Sequence, residues 1–261
     1  MLNTKKPCQQ TTCTGLGNGE PFNFCHYPDS EWKELQVDKS AFIPVNPENP
    51  AADILTLSVY ATSGVDVEIW LTTEDNIRVR MVGTGIFPDD APALAVSKVN
   101  GEAQIWVEYA GPCCNAMRCN SLRLNVWLPV ECEMERIKIK CLRLAGHTRL
   151  KAKREIRISA SGLVCCEAET KHLQVETSRE GIQVTAICPE FEQGEDKTCF
   201  VRVQAEQGAA EIRLLGFNES RIRSSGTENN YHFEGSEACD GDEPTRIGGV
   251  VRACSGLVTI R

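Results

Sequence analysis

The sequence alternates apolar and polar residues in one short run after another, and this constrains its fold more than any other feature. In VDVEIWL (65–71), Val65, Val67, Ile69 and Leu71 share one side while Asp66 and Glu68 share the other. IRVRM (77–81), LRLNVWL (122–128), IKIKC (137–141), EIRIS (155–159), IQVTAIC (182–188), FVRVQA (200–205) and EIRLL (211–215) repeat the pattern. A period of two places one set of side chains in a core and the other in water, which describes a half-buried β-strand. Turn-forming residues separate the runs, as in TSG (62–64), SREG (178–181) and EQG (206–208). No helical period persists beyond two turns. The expectation is an all-β chain, an antiparallel β-sandwich of jelly-roll or immunoglobulin-like kind.

With 261 residues there is room for two such units. QIWVEYAGPCC and EIRISASGLVCC share a plan, in which an alternating strand leads through a glycine and one or two linking residues to a cysteine pair. The boundary between units is placed at AGHTRLKAKR (145–154), where glycine and charge interrupt the apolar pattern. This gives an extended arm over 1–28, a sandwich over 29–145 and a second over 146–261. The arm is rich in Gly, Thr, Gln and Asn and has no apolar period.

The 14 cysteines are the second unusual feature. A chain of this length does not need covalent staples to fold, so their abundance points to an oxidising setting or to selection for durability. The set is Cys8, Cys13, Cys25, Cys113, Cys114, Cys119, Cys132, Cys141, Cys165, Cys166, Cys188, Cys199, Cys239 and Cys254. On a pleated strand the neighbours of a Cys–Cys doublet point to opposite faces. One thiol can then bridge within the core and the other can fasten the arm or a second chain. The pairing is not readable from spacing, and intrachain and interchain bridges are both open. The opening MLNTKKPCQQTTC lacks the apolar run of a secretory leader, and no segment has the length of a membrane span.

Several chemistries lack their signatures. A net charge of −8 is the opposite of a nucleic-acid footprint. The basic run from Arg136 to Arg154 reads as a solvated strand face followed by a linker. No C-x-x-C knuckle is present for zinc, and GLGNG (15–19) lacks the strand, helix and lysine of a phosphate loop. His26, His147, His172 and His232 stand at no catalytic spacing, and there is no G-x-S-x-G elbow. No cofactor and no enzymatic activity are expected. Asp240, Asp242 and Glu243 form an acidic loop that either holds Ca²⁺ or is an ordinary turn, and Asn218 begins an N-x-S acceptor pattern.

Two functional readings follow. The first is a structural subunit of a disulfide-stabilised extracellular coat, filament or particle surface, self-assembling through its arm and cysteines. The second is a secreted adhesion or receptor-binding ectodomain with its disulfides internal, in which outward-facing Trp106 or Trp127 forms a partner patch. Both place the protein outside a cell or on the surface of a spore, virion or cell.

Overall fold

The computed structural model describes residues 9–13, 22–26, 33–61, 65–87, 92–108, 121–144, 148–237 and 243–261. Strand is the dominant element, and helix is confined to one turn. The arm contains the antiparallel pair β1 (Gln9–Cys13) and β2 (Phe22–His26). Next come β3 (Lys33–Pro44), a one-turn helix at Pro50–Asp53, β4 (Thr56–Ala61), β5 (Val65–Thr72), β6 (Asn76–Phe87), β7 (Ala93–Val99), β8 (Glu102–Glu108) and β9 (Leu122–Pro129). The middle holds β10 (Arg136–Cys141), β11 (Arg143–Leu144), β12 (Arg149–Lys151), β13 (Glu155–Ala160), β14 (Val164–Glu169), β15 (His172–Thr177) and β16 (Ile182–Ile187). The chain ends with β17 (Thr198–Ala205), β18 (Ala210–Leu215), β19 (Glu219–Ser225), β20 (Asn229–Tyr231), β21 (Arg246–Ala253) and β22 (Val258–Ile260).

Two large sheets form, one of nine strands and one of eleven. From β13 onward successive strands alternate between them: β13, β15 and β17 lie side by side in the first, and β14, β16 and β18 in the second, all parallel. The chain therefore winds as a flattened coil. Each turn adds one strand to each sheet, and the return path for a parallel strand is the strand opposite. The antiparallel sandwich is corrected accordingly. Antiparallel pairing occurs where β3, β6 and β9 meet, where β7 meets β8, and in the arm; the rest of both sheets is parallel. Alternation looks the same in either arrangement because both bury one face. What differs is the short arc after each strand. Here it carries the chain across to the other sheet, as the three residues after Ala160 do, instead of folding it back beside its neighbour.

The stacking order departs from chain order at both ends. β4 lies between β8 and β10, and β5 between β9 and β11, so the first-formed turn is not the outermost. At the far end β21 lies between β17 and β19, and β22 between β18 and β20. The final strand is thus clamped inside the stack: Leu214 N–H donates to Arg261 O at 2.6 Å, and Arg261 N–H to Ile212 O at 3.0 Å. In the nine-stranded sheet β10 pairs directly with β13, and in the eleven-stranded sheet β11 pairs with β14. The segment read as a linker adds Leu150 and Ala152 to the core, and β12 pairs with β14.

Inward side chains stack from turn to turn. Leu57, Ile137, Ile156, Leu173 and Val201 form one such file, and Val67, Leu144, Val164, Ile182, Ala210 and Val258 form another in the other sheet. All are buried. Burying each aliphatic side chain contributes about 1.5–3 kcal/mol, so the files supply most of the stability. Where the two sheets converge at an arc, only small residues fit, and Ala160, Thr177, Ala205 and Ala253 lie in register there. Beyond them the arcs stack closely enough that a Cβ on Gly208 (φ +84°) would meet the Gly181 backbone at 2.9 Å. The recurring glycine of the turn signals is therefore a packing requirement.

A candidate binding face

The outward residues of the nine-stranded sheet lie in three lengthwise rows. In the first, His172, Phe200, Gly248 and Arg221 stand in register on four adjacent strands. Phe200 is 47 % exposed although its backbone belongs to a central strand. Beside it Gly248 presents no side chain, and a Cβ added there would meet nothing nearer than Arg221 O at 3.8 Å. The result is a shallow groove of about 580 Å³, floored by Phe200 and Gly248 and bordered by Lys171, His172, Glu195 and Thr198. That volume falls within the range of small-molecule sites.

The groove has a fixed rim. Lys171 Nζ lies 2.7 Å from both carboxylate oxygens of Glu195 and 5.6 Å from the Phe191 ring centroid. The Lys171 hydrogen bond, with the Glu192 N–H at 3.0 Å, holds the Glu195 carboxyl below its ordinary range. Arg246 Nε binds Glu219 at 3.2 Å on the opposite side. The neighbouring Gly249 is different in kind from Gly248. It has φ +147°, and a Cβ there would fall 1.8 Å from Val201 O on the adjacent strand. One glycine opens the surface, and the next permits close packing of β21 on β17.

Along the same sheet, Tyr60 and Trp106 stack with centroids 4.3 Å apart and an interplanar angle of 26°. Trp106 is exposed, as its parity implied. Trp127 also faces outward, on the eleven-stranded sheet. There it is half-buried, in register with Trp70 and Arg78, and the Arg78 guanidinium carbon lies 4.3 Å from its ring centroid. The two tryptophans therefore lie on opposite sheets and do not form one patch. Neither the Phe200 groove nor its Gly248 neighbour was marked by sequence reasoning, because the two residues are 48 positions apart in the chain.

The cysteines divide by face. In the second doublet Cys166 is buried and Cys165 is half-exposed on the outer side, the split expected of a continuing pleat. Burial, reinforced by the nearby Cys165 and Cys141 sulfurs, pushes the Cys166 thiol far up. Burial pushes Cys141 and Cys199 up to about 12 and Cys132 to about 11. Cys188 is half-exposed and also raised by burial, while Cys254 is exposed. All seven are free thiols in this structure. Cys8, Cys113, Cys114, Cys119 and Cys239 lie outside the described residues, as do the side chains of Cys13 and Cys25.

The remaining candidates are dispersed. Among the described residues no group of three His, Cys, Asp or Glu could hold a metal ion. Asp240 and Asp242 lie outside the described residues, and Glu243 is exposed. His147 lies outside them too, His172 borders the groove, and His232 is exposed and 3.1 Å from Glu234. The Asn218 amide is engaged in structure: its Nδ2 donates to Ser236 O, and its Oδ1 accepts from Thr245 N–H at 2.9 Å. Among the described residues no helix is long and apolar enough to cross a membrane.

No protein-family model matches the sequence, and neither does any curated protein. Among solved structures, a candidate cell adhesion protein from Clostridium sporogenes is similar, with 12 % identity over 87 % of this chain and 99 % of that one, at a TM-score of 0.48. A candidate adhesin from Bacteroides fragilis gives 12 % identity over 86 % and 97 % of the two chains, with a TM-score of 0.38. Another, from Parabacteroides merdae, gives 9 % identity over 86 % and 96 %, with a TM-score of 0.34. At these identities and scores no residue of one chain maps onto a functional residue of another.

Proposed function

We propose that this chain is a non-enzymatic adhesion module, displayed outside a cell or on a particle surface, that binds saccharide on the outer face of its nine-stranded sheet. One observation supports the reading above the rest: Phe200 is presented to solvent beside the vacant position of Gly248, within a rim fixed by the Lys171–Glu195 pair. An exposed ring on a rigid floor offers an apolar surface for a sugar ring. The surrounding Lys171, His172, Thr198 and Glu195 supply donors and acceptors for hydroxyl groups. Parallel sheet beneath the site keeps it preformed, which limits the ordering cost of binding.

The test is a glycan array probed with fluorescently labelled protein. Gly248→Val fills the groove from a position that tolerates a side chain, and Phe200→Ala removes the floor. Wild-type protein is expected to bind at least one saccharide class, and each variant to lose about tenfold or more while keeping the wild-type circular dichroism spectrum. Absence of binding to any saccharide, or undiminished binding by both variants, overturns the proposal.

A further inference from the structure

On a chain of net charge −8, the outward rows of the nine-stranded sheet carry more Lys and Arg than Glu. The middle row reads Lys138, Arg157, Gln174, Arg202, Val250, Arg223 on six consecutive strands. Adjacent strands are about 4.8 Å apart, so Arg157, Arg202 and Arg223 recur at alternate strands, roughly every 10 Å. The next row reads Lys140, Ser159, Glu176, Gln204, Arg252, Ser225 on the same strands. Acidic groups on the face are outnumbered and held by partners: half-buried Glu155 with exposed Arg157 at 2.6 Å, Glu176 with Arg202 at 4.0 Å, Glu219 with Arg246 and Arg221, and Glu102 with the Ser58 hydroxyl. Exposed pairs of this kind are worth little and exchange readily for a ligand's carboxylate.

We infer that the middle row is an extended binding track for a linear acidic glycan bearing a carboxylate on alternate sugars, running across the strands and past the groove. Arginines at alternate strands meet the carboxylates, while Gln174 between Arg157 and Arg202, and Ser159, Gln204 and Ser225 of the next row, meet hydroxyl groups. A single-stranded nucleic acid fits less well: such sites interleave their cations with aromatic rings that stack successive bases, whereas this row interleaves Gln174 and Val250. The inference names the ligand class of the same face and rests on the saccharide-binding reading.

The experiment measures binding of hyaluronan oligosaccharides, their carboxyl-reduced counterparts, and an oligothymidylate of equal charge, at 50 and 200 mM NaCl. The acidic glycan is expected to bind about tenfold or more tightly than its reduced form at low salt, an advantage that shrinks with salt. Arg157→Gln/Arg202→Gln/Arg223→Gln should abolish that advantage. The corresponding Arg→Lys triple variant should retain most of it, and Arg123→Gln/Arg213→Gln on the other sheet should leave it unchanged. If acidic and reduced glycans bind alike while Gly248→Val still weakens both, the track is wrong and the groove stands. If neither binds, the saccharide reading fails first. An advantage that survives the triple Gln variant overturns the location, and oligothymidylate binding as tightly as the acidic glycan overturns the ligand class.

Discussion

Consecutive glycines at 248 and 249 should respond oppositely to the same substitution. In Gly249→Ala the added Cβ would sit 1.8 Å from Val201 O, 2.8 Å from Val201 C and 2.9 Å from Val201 N, all backbone atoms that cannot rotate away. The residue also holds φ +147°, a conformation that costs an L-residue roughly 1–3 kcal/mol. Relieving the overlap requires β21 to move away from β17, which weakens ladder hydrogen bonds worth about 1 kcal/mol each. Together these give about 3–5 kcal/mol, or a fall in Tm of roughly 6–15 °C for a chain of this size. Gly248→Ala meets open space at an ordinary φ and should change stability by no more than about 0.5–1 kcal/mol, with either sign accessible. Thermal unfolding followed by circular dichroism on both variants reads the difference directly. Equal Tm values for the two would show that β21 does not pack on β17 in the register described, and with it the groove would lose its floor.

Two further outcomes follow from buried ionisable groups. Asp66 Oδ1 is buried without a hydrogen-bond partner, and burial raises its carboxyl above the ordinary range against the opposing pull of Arg143 and Arg123. The folded state then holds the proton more tightly than the unfolded chain, so stability is lost as pH rises through the folded pKa. Asp66→Asn should therefore raise Tm at pH 7 and confer no benefit below the ordinary carboxylate range; a lower Tm at pH 7 would refute the assignment. Among the described cysteines, residue-resolved alkylation at pH 8 should modify Cys254 first and Cys165 next. Cys141, Cys166 and Cys199, buried and shifted upward, should react only on unfolding, and early labelling of Cys166 would contradict its inward orientation.

The basic run shows how much of a surface is legible before folding. Arg136 to Arg154 reads as a solvated face followed by a linker, and its first part is indeed outward on β10, with Lys138 in the middle row. The second part is neutralised in three dimensions: Lys151 and Arg149 approach Glu169, Lys153 pairs with Glu133, and Arg154 with Glu135. Glu169 is fifteen or more positions further on, and no local pattern reveals that pairing.

On strands with an alternating run, such as β9, β10, β13, β16 and β17, the inward and outward assignment follows from alternation alone, as do the opposed faces of Cys165 and Cys166. β4, where Ser58 is also buried, and Leu71, which is exposed, depart from it. Pleating is a local property of the backbone, set residue by residue. Whether strands run parallel, which turn lies at the end of the stack, and which side chains become neighbours across a sheet were decided by tertiary structure. Those outcomes depend on where each arc delivers the chain. An arc that crosses to the opposite sheet and one that doubles back can use the same Gly, Ser and Asp residues. Phe200 meets Gly248 only because β21 returns to fill the place between β17 and β19, and that choice is made by long-range packing.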